Sequence, residues 1–519
     1  MVMKMIQSRL AFKVPEVKPA VSKEPFRIGK FEVLLDRSKC TACGLCAQVC
    51  PTYIGSAIVE YEAFKKPSGI LRVTNARAMC EGLVCRKCVE SCPTKALTVR
   101  INPQYLILGD KRWTADLILS TWEQAESGKP SGRYEYRVGD SGGGFDKIRF
   151  DFELEEEVSI NEIFEAEDRD TSIVLNRRRD GRPEISIPIP VYSADMSFGS
   201  ISLRVMVARA IAAKAWNTFT STGEGGYPNE LIPFKDHVIT QVATGHFGVN
   251  AETVKRARIV CLKYAQGAKP GLGGHLLADK VTPKVAEIRE VVPYISLFSP
   301  FPFHNVYSVE DHYRHVQLIK DINPKALVSV KVSTPIDVDM VAIGSYYAGA
   351  NILQVDGGFG GTGAAPDIAK KNIAMPIEYA IPMVHNYLVK EGVRDEMVIM
   401  ASGGIRTAFD VAKIIALGAD GAVIGTSELV ALGCKRCGNC ERGRGCPSGI
   451  ATTDHALSLL IDPEWGAQRI INMYCSWKKQ WGYILSKLGL SSIRELRPKN
   501  EVKFRKGRFN HLVHLDHLR

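Results

Sequence analysis

The feature that most constrains the fold of this chain is a run of four cysteines near the N-terminus that ends in a proline. The run has the spacing C-x2-C-x2-C-x3-C-P and consists of Cys40, Cys43, Cys46 and Cys50, followed by Pro51. This spacing lets three close cysteines wrap one iron–sulfur cluster while the fourth reaches a second cluster. A segment of this kind folds around its metal clusters rather than around a large apolar core.

A second cysteine run, with a first gap of four residues instead of two, follows the first. It consists of Cys80, Cys85, Cys88 and Cys92, and ends at Pro93. In the crossed pairing of tandem runs, one [4Fe–4S] cluster is held by Cys40, Cys43, Cys46 and Cys92. The other cluster is then held by Cys50, Cys80, Cys85 and Cys88. Two proline-terminated runs favour these clusters over a pair of zinc knuckles, so residues 31–100 are predicted to form a ferredoxin-like α+β domain.

The composition excludes several classes of protein. The chain has 519 residues, 67 of them basic and 56 acidic, and a net charge of +11 is mild for that length. No recognised nucleic-acid motif accompanies the charge, so no nucleic-acid partner is expected. No apolar run is long enough to cross a membrane, and the N-terminal arm, residues 1–30, has no apolar signal core. Fourteen cysteines without an export signal therefore indicate metal clusters in a cytoplasmic protein.

Residues 186–470 alternate short β-branched runs with helical stretches. Strands are predicted at 326–333, 351–358, 397–404 and 421–426. Helices are predicted at 337–350, 376–392 and 407–419. Thr407 and Asp410 look like a capping box at the start of the last helix. Repeated βα units over this length favour an α/β fold, a (β/α)8 TIM barrel, with a doubly wound sheet as the main alternative.

The stretch GFGGTG, residues 358–363, matches G-x-G-x-x-G and follows a predicted strand. A dinucleotide site of this kind needs a helix that opens within the motif and an acidic residue about twenty positions further on. Here Pro366 comes early, and no acidic residue ends a second strand. The match therefore predicts loop glycines that pack close to a flat ring, rather than an NAD(P) site.

A phosphate site is better supported at the end of the barrel. In such barrels, phosphates commonly bind at the loops after strands seven and eight. The last two predicted strands end in ASGGIRT and AVIGTSE, which place free backbone N–H groups at helix N-termini. The candidate phosphate residues are Gly403, Gly404, Gly425 and Thr426. Because clusters pass single electrons and substrates take hydrides, flavin mononucleotide (FMN) is the cofactor that would connect the two.

Motifs between residues 185 and 460 resemble, in order, the synthase domain of glutamate synthase. They are SADMSFGSIS, STGEGG, KYAQGAKPGLGGHL, VYSVEDH, VSVKV, DGGFGGTGAAP and CPSGIATTD. With the iron–sulfur domain, they make the chain similar to the short, archaeal-type form of that family. The resemblance implies an FMN-binding barrel that reduces 2-iminoglutarate, formed from 2-oxoglutarate and ammonia, to L-glutamate.

The resemblance also implies which residues meet the substrate. Lys263 and Lys269 of KYAQGAK would hold the substrate and its carboxylates near the flavin. Arg289 would clamp a carboxylate, in keeping with the need of a dicarboxylate for several fixed cations. Glu224 of TGEGG would line the path by which ammonia enters.

Further residues are assigned to the cofactor in the same way. Lys331 would lie near the flavin, where a cation stabilises the reduced, anionic ring. Ser197 of SADMSFGSIS, together with Gly357 and Gly358 of DGGFGG, completes the predicted cofactor set.

A third group of cysteines follows the last predicted strand, in GCKRCGNCERGRGCPSGI. The family carries a [3Fe–4S] cluster at this place, beside the flavin, with ligands in the pattern G-C-x5-C-x4-C-P. Cys434, Cys440 and Cys446 match it, with a spacer of five residues before the last cysteine instead of four. Cys437 is additional, and is either the fourth ligand of a [4Fe–4S] cluster or a bystander. The cluster would be the final relay from the iron–sulfur domain to the flavin.

Two departures from the family pattern bear on substrate and partners. His275 stands where the family usually has glutamine, so an enzyme that condenses another amine, such as methylamine, with 2-oxoglutarate is an alternative. The glutamine-hydrolysing domain of the large enzymes needs a cysteine nucleophile as its first residue, and the first cysteine here, Cys40, is already assigned to a cluster, so that domain is expected to be missing. Ammonia is therefore expected from a separate glutamine amidotransferase subunit or from solution, and electrons from a ferredoxin or an NAD(P)H-oxidising flavoprotein.

A non-catalytic electron-transfer flavoprotein subunit is the third interpretation of the chain. The presence of Lys263, Lys269 and Glu224 argues against it.

The remaining segments carry weaker signals. Residues 101–185 are interpreted as a connecting region between the domains. Within it NRRRDGR, residues 176–182, is predicted to be a solvated loop, with a docking patch for an acidic partner as the alternative. Residues 471–519 are expected to form a helical and basic C-terminal extension that ends in a solvated tail or a docking helix.

Overall fold

The structure is a computed structural model. It describes residues 12–22, 28–50, 80–131, 144–151, 168–270, 273–361, 363, 365–441, 445–503, 508–509 and 511–514. The glycine-rich part of the connecting region and most of the basic C-terminal tail lie outside the described residues. Within the described ranges, no helix is both long enough and apolar enough to cross a lipid bilayer.

The N-terminal iron–sulfur candidate is a small α+β unit. β1 (Phe31–Leu35) and β2 (Leu97–Ile101) pair antiparallel. Between them in the chain lie the one-turn helices α1 (Leu45–Gln48) and α2 (Lys87–Glu90), which contact one another. The buried core of the unit consists of Ala47, Cys50, Cys88 and Leu97, with Cys46 and Cys92 packed against it. Cysteines therefore supply much of this small core.

A buried helix follows, where the sequence suggested only a connecting region. After the short α3 (Pro103–Leu106), α4 (Ala115–Ser127) runs for 13 residues. Thr114 caps its start by accepting a hydrogen bond from Leu117 N (3.3 Å), and Gly128, at φ 65°, ends it in the left-handed conformation. Nine of the 13 residues are buried, against helices of the C-terminal half. This helix is therefore part of the protein core.

Eight parallel strands form a nearly closed barrel. After the short strands β3 (Ile148–Phe150), β4 (Ile173–Val174) and β5 (Ser186–Ile187), they are β6 (Val191–Ser193), β7 (Thr220–Ser221), β8 (Val238–Ala243), β9 (Ile259–Lys263), β12 (Leu327–Val332), β13 (Ile352–Asp356), β14 (Val398–Ser402) and β15 (Gly421–Ile424). They are hydrogen-bonded in the order β7-β8-β9-β12-β13-β14-β15-β6. A hydrogen bond from Ser193 N to Phe219 O (2.9 Å) brings the two ends of the sheet together. The TIM-barrel prediction is confirmed, and the doubly wound alternative is wrong.

Helices occupy the connections between the barrel strands. They are α5 (Leu203–Ala215), α6 (Ala251–Lys255), α7 (Pro283–Arg289), α8 (Val309–Ile322), α9 (Val338–Tyr347), α10 (Asp367–Asn372), α11 (Ile377–Lys390), α12 (Ala408–Ala416) and α13 (Thr426–Ala431). β10 (His275–Leu276) and β11 (Leu297–Phe298) pair antiparallel within the long connection from β9 to β12. Each helix and strand predicted between 326 and 426 is present, with somewhat shorter ends.

The expected capping box at α12 is half formed. Thr407 Oγ1 accepts a hydrogen bond from Asp410 N (3.1 Å), as predicted. The carboxylate of Asp410 accepts from Arg406 N (3.0 Å) and so caps the turn one residue earlier than a capping box does.

The C-terminal helix α15 (Pro463–Lys487), preceded by α14 (His455–Ser458), runs for 25 residues and packs against α4 and α5. The buried guanidinium of Arg469 donates to Ala20 O (2.6 Å) and Trp122 O (3.1 Å). It thereby ties the N-terminal arm and α4 to the barrel. The domain boundary expected at residue 470 falls inside α15, which runs through it without a break.

Part of the C-terminal tail forms strands rather than a solvated tail or a helix. β16 (Arg508–Phe509) pairs antiparallel with β17 (Leu512–His514), which pairs in turn with β3. Leu512 lies opposite Phe150 and is fully buried. The described part of the tail is therefore anchored to β3 by the buried side chain of Leu512.

The arginine-rich stretch 176–182 is folded against the starts of the barrel strands. Arg177 forms a bidentate pair with Asp420 at 2.7 and 3.1 Å. Arg178 donates to Ala350 O (2.9 Å), just before β13. Because Arg177 and Arg178 bind partners within the chain, this part of the stretch is not the predicted solvated loop, whereas Arg179, Asp180 and Gly181 are exposed as predicted.

Asp420→Asn is expected to lower the free energy of unfolding by about 3–5 kcal/mol, because it leaves buried guanidinium groups without their counter-charge. Although burial favours the neutral acid, Arg177, Arg394 and Arg497 hold the pKa of Asp420 well below its usual range. Urea denaturation followed by circular dichroism measures the change. Asp395→Asn is the matched control, since that side chain is 88% exposed and its pair with Arg497 is worth about 0–1 kcal/mol. Equal shifts in the two variants would contradict the prediction.

Candidate active site

A cavity of about 290 Å³ lies at the carboxyl ends of the barrel strands. The last residues of β9, β13 and β14, which are Lys263, Asp356 and Ser402, all line it. Parallel strands that end at the same edge place their final side chains around the mouth of the barrel, where TIM-barrel enzymes hold their active sites. The cavity is therefore the candidate active site.

The structure brings most of the predicted substrate and cofactor residues to this cavity. Those that line it are Ser197, Glu224, Lys263, Lys269, Arg289, Lys331, Gly403, Gly404, Gly425 and Thr426. Gly357 and Gly358 do not. A Cβ atom on Gly357 would lie 2.7 Å from the Cβ of Ile377, and one on Gly358 would lie 2.5 Å from Ala374 O. Close packing behind the loop therefore requires a glycine at both positions, and their role toward the cofactor stays a prediction.

Lys263 and Glu224 form a buried ion pair on the cavity wall. Lys263 Nζ donates to Glu224 Oε1 at 2.8 Å, and the side chains are 7% and 17% exposed. Burial works to raise the pKa of Glu224, but Lys263, followed by Arg289 and Lys269, holds it below its usual value. Glu224 is therefore an ionised acceptor within a group of cations.

Lys269 has no salt bridge to any carboxylate among the described residues. It is 1% exposed, and its Nζ lies 3.3 Å from His275 Nδ1. Burial, and then repulsion from Lys263, lowers the pKa of Lys269 to about 8. Burial and the charge of Lys269 lower the pKa of His275 as well, so the neutral ring accepts the hydrogen bond. A buried ammonium group of this kind is stabilised by an incoming anion.

Arg289 is fixed against two loops of the cavity. Its Nη2 donates to Ser197 Oγ (2.9 Å) and Phe198 O (3.0 Å). Burial lowers the pKa of Arg289 to about 10, and its Nε has no hydrogen-bond partner among the described residues. A Cβ atom on Gly225 would lie 2.9 Å from Arg289 Nη2, so the glycine makes room for the guanidinium. Arg289 is thus another oriented, buried cation in the cavity.

Lys331 is held by two carboxylates that sequence reasoning missed. Its Nζ lies 2.8 Å from Asp195 Oδ2 and 3.8 Å from Asp356 Oδ2. Burial opposes the charge, but the carboxylates raise the pKa of Lys331 above its usual value. Asp356 also accepts hydrogen bonds from Ser402 Oγ (2.6 Å) and Gly267 N (2.9 Å). Both carboxylates lie at or just after the end of a barrel strand, within the SADMS and DGG motifs, and this position in the sequence could have identified them as cavity residues.

The four predicted phosphate residues line one cavity. Gly403 and Gly404 have φ values of 81° and 135°, which favour glycine. A Cβ atom on Gly403 would lie 2.4 Å from Gly357 O, so no larger residue fits. Gly425 directly precedes α13. Backbone N–H groups in glycine loops that lead into helices bind phosphate well, so the chemistry of this end of the cavity fits a phosphate-bearing cofactor.

The late cysteines lie against the same cavity. Cys434 and Cys440 line it, Cys446 is buried, and Cys437 is exposed. Burial, with the neighbouring Cys440 and Cys446 thiols, raises the pKa of Cys434 to about 12. Burial also raises the pKa of Cys440. The Cys446 thiol raises this pKa further, and by more than the Cys437 thiol does. Cys434, Cys440 and Cys446 are therefore close neighbours.

The cysteines of the N-terminal unit influence one another both within and across the predicted sets: Cys80, Cys50 and Cys46 all act on Cys88, and no cysteine is among the groups that shift the pKa of Cys92. Burial raises the pKa of Cys88 to about 11, and the thiols of Cys80 and Cys50 add to the effect. Burial raises the pKa of Cys46, with a contribution from Cys43. In the part of the chain that the structure describes, no three His, Cys, Asp or Glu side chains are placed to hold a metal ion. The ligand sets of the clusters therefore stay a prediction.

Comparison with known families decides the assignment of the chain. A family profile described as a conserved region in glutamate synthase matches residues 145–491. A 4Fe-4S binding domain profile matches residues 33–54. The chain belongs to the glutamate synthase family.

Relatives in this family align with almost the whole chain. An archaeal-type glutamate synthase (NADPH) of Thermotoga maritima is 36% identical over 491 residues, which are 91% of this chain and 94% of that protein. An archaeal glutamate synthase (NADPH) of Archaeoglobus fulgidus is 33% identical over 496 residues, 91% of this chain and 93% of that protein. Among solved structures, a mutant flavocytochrome b2 with benzoylformate aligns with a TM-score of 0.44 and 16% identity, over 76% of this chain and 83% of that chain.

Several cavity residues of this glutamate synthase family member were not found by sequence reasoning. Arg112 and Trp113 reach the cavity from the turn before α4, which no motif marks. Lys280, 2% exposed, donates to Cys440 O (2.6 Å) and Ala451 O (3.2 Å). It thereby holds the loop of the late cysteines against the cavity. A lone lysine in the sequence cannot be told from a surface charge, so nothing pointed to it.

Proposed function

We propose that this chain is the synthase core of a glutamate synthase, an oxidoreductase that reduces 2-iminoglutarate, formed from 2-oxoglutarate and ammonia, to L-glutamate. One observation carries the proposal: Lys263, Lys269 and Arg289 line the same cavity as the Gly403–Gly404 loop. Buried, oriented cations suit a dicarboxylate, and the glycine loop suits the phosphate of a cofactor. The relatives, which are named glutamate synthases, support the same substrate class.

FMN is the cofactor that fits the cavity. Its phosphate would be held by the loops of Gly403–Gly404 and Gly425–Thr426, and Ser197 and Lys331 would lie near the ring. When bound, FMN supplies the hydride and accepts electrons singly. Lys331, paired with Asp195, carries its positive charge throughout the working pH range, because its pKa is raised. The chain thus offers a permanent cation beside the redox group.

The side chains of the cavity bind and orient the substrate. Three buried cations supply positive charge for the two carboxylates of the substrate: Lys263, Lys269 and Arg289. Because they are buried, little water competes with the substrate for them. Glu224, kept ionised by Lys263, offers an acceptor for the N–H groups of ammonia on its path inward. Reduction of a C=N bond also needs a proton on nitrogen. Lys269 Nζ, whose pKa is about 8, can hold and release that proton near neutral pH.

Three iron–sulfur clusters complete the proposed electron path. The crossed ligand sets of the N-terminal domain would give two [4Fe–4S] clusters, and the 4Fe-4S binding domain profile that matches residues 33–54 supports clusters of this type. Cys434, Cys440 and Cys446 would hold the third cluster at the cavity wall. The exposure of Cys437 supports a three-ligand [3Fe–4S] cluster over the four-ligand [4Fe–4S] alternative.

The partners follow from the reaction. Ammonia would come from a separate glutamine amidotransferase subunit or from solution. Electrons would come from a ferredoxin or an NAD(P)H-oxidising flavoprotein, and the naming of the relatives as NADPH enzymes supports the flavoprotein. The cytoplasmic location stays a prediction.

An enzyme that condenses methylamine with 2-oxoglutarate is a second candidate, supported by the contact of His275 with Lys269 in the cavity. A non-catalytic electron-transfer subunit is disfavoured. Such a relay has no use for Lys269 and Arg289, two buried cations that form no salt bridge with a described carboxylate and are costly to maintain without an anion.

Binding of 2-oxoglutarate tests the proposal. Added to purified, cluster-loaded protein, it is expected to perturb the visible absorption of the bound flavin, because cofactor and substrate share one cavity. Acid treatment should release FMN. An unresponsive spectrum would point to a relay, and release of no flavin would contradict the cofactor itself.

The affinity for 2-oxoglutarate is expected to fall as pH rises through about 8. In the folded protein the pKa of Lys269 is lowered from 10.5 to about 8, so this cation is lost above pH 8. Its loss should raise the dissociation constant about tenfold per pH unit above that value. Absorbance titrations from about pH 6.5 to about pH 9.5 measure it. In Lys269→Met the pH dependence should disappear, whereas a flat wild-type profile would contradict the prediction.

A further inference from the structure

Arg112 reaches the cavity from outside the barrel. It stands in a tight turn between α3 and α4, where Asp110 Oδ1 accepts hydrogen bonds from Arg112 N (2.8 Å) and Trp113 N (2.9 Å). Asp110 N donates to Trp113 O (2.8 Å) and closes the turn. Gly109, at φ 84°, begins it, and a Cβ atom there would lie 2.0 Å from Trp113 O. The backbone of Arg112 is therefore fixed.

The guanidinium of Arg112 meets the glycine loop predicted to hold phosphate. Its Nη2 donates to Gly404 O at 3.3 Å, and its Cζ lies 3.3 Å from the centre of the Phe359 ring. Gly404 and Phe359 both line the cavity. A Cβ atom on Gly404 would lie 3.2 Å from Arg112 Nη2, so a larger residue would press on the guanidinium.

Glu378, Asp410 and Asp110 attract the charge of Arg112 from a distance, but they do not offset its burial. No carboxylate in the described part of the chain forms a salt bridge with it, and its buried Nε has no hydrogen-bond partner there. The neighbouring Arg406 donates to Arg112 O (3.1 Å), but its own charge is paired with Asp410 (3.2 Å) and Asp146 (3.6 Å). Burial and repulsion from Arg406 lower the pKa of Arg112 to about 10. An anion beside Arg112 would give its Nε a hydrogen-bond partner and would stabilise the buried positive charge.

We propose that Arg112 binds the phosphate group of the flavin cofactor, so that the segment following the iron–sulfur domain completes the cofactor site of the barrel. The inference rests on the proposed function and deepens it. The same turn holds the loop of the late cysteines, through Gly109 N to Lys435 O (3.0 Å) and the pair of Asp110 with Arg436 (2.8 Å). Cofactor binding therefore joins the glycine loop, the turn and the loop that carries Cys434.

Flavin binding to the full-length, cluster-loaded chain stripped of its flavin tests the proposal. Dissociation constants are measured by fluorescence quenching for FMN and for riboflavin, which lacks the phosphate. Arg112→Ala is expected to raise the dissociation constant of FMN at least about tenfold, the size of one charge-assisted hydrogen bond. The dissociation constant of riboflavin should change by no more than about twofold. Lys111→Ala is the matched control, because it removes an exposed positive charge from the neighbouring position and should change neither constant.

Equal losses for FMN and riboflavin, or no loss for FMN, would overturn the role of Arg112. If Arg112→Ala does not fold, Arg112→Gln and Arg112→Lys replace it, and Arg112→Lys should restore part of the preference for FMN by keeping the charge. A wild-type chain that binds neither flavin would overturn the cofactor assignment and this inference together. A wild-type chain that prefers FMN, with an unchanged Arg112→Ala variant, would overturn the inference alone.

Discussion

Cys440→Ala is expected to abolish reduction of the bound flavin by an external electron donor. Cys440 lines the cavity, and its thiol neighbours those of Cys434 and Cys446. Removing it takes one ligand from the three that would hold the last cluster, and electrons from the N-terminal domain then have no relay. Because the cations of the cavity stay in place, protein reduced directly by a chemical reductant should still convert 2-oxoglutarate and ammonia at the wild-type rate.

Anaerobic stopped-flow absorbance measures flavin reduction, and electron paramagnetic resonance follows the late cluster. Cys475→Ala is the matched control, because Cys475 is a buried cysteine (4% exposed) in α15, away from the cavity lining. Cys437→Ala should retain the cluster signal if three ligands suffice. A Cys440→Ala variant reduced at the wild-type rate would show that the late cysteines carry no electrons.

Lys269→Met is expected to lower kcat/KM for 2-oxoglutarate by about 10²–10³, the cost of removing one partner of a buried charge pair. Methionine keeps the length and the apolar stem but not the charge. Since Lys269 forms no salt bridge with a described carboxylate, the variant leaves no acid stranded and should fold. The lost interactions are then the charge that binds the substrate carboxylate and the proton held for the imine nitrogen, so KM should rise and kcat should fall.

Steady-state assays of glutamate formation with saturating ammonia measure this effect. Lys284→Met is the control, because the Lys284 side chain is 52% exposed and its partner, Glu230, is at the surface. FMN affinity should be unchanged in both variants. A loss below about threefold in Lys269→Met, or an equal loss in FMN affinity, would remove Lys269 from the substrate site.

The barrel could be predicted because its signals are local. The strands at β12 to β15 are fully buried, and their apolar, β-branched runs between turns are visible in the sequence. The sequence also predicts that no helix opens within GFGGTG. In the structure the next helix, α10, begins at Asp367, after the motif has ended. Strand ends then pointed to the cavity residues, since parallel strands share an edge.

The rest depended on contacts between distant parts of the chain. Arg177 and Asp420 are far apart in sequence, and only the fold shows that a run of arginines binds within the protein. The polar, glycine-rich stretch that follows α4 favours a connecting region, but the first half of α4, ADLILSTW, is largely apolar, and only the fold shows that it is buried and that Arg112 before it reaches the cavity. For Gly357 and Gly358, the motif gives the residue types but not which side of the loop faces the cavity, and neither glycine lines it.

The most direct test of the central claim is a single turnover without oxygen. The protein is reduced chemically and mixed with 2-oxoglutarate and ammonia, with 2-oxoglutarate and methylamine, or with 2-oxoglutarate alone, while flavin reoxidation and products are followed. A glutamate synthase core should reoxidise with ammonia, form one L-glutamate for every two electrons that the flavin and the clusters lose, and stay reduced without an amine. Preferential turnover with methylamine, or no turnover with either amine in protein whose flavin and clusters are intact, would contradict it.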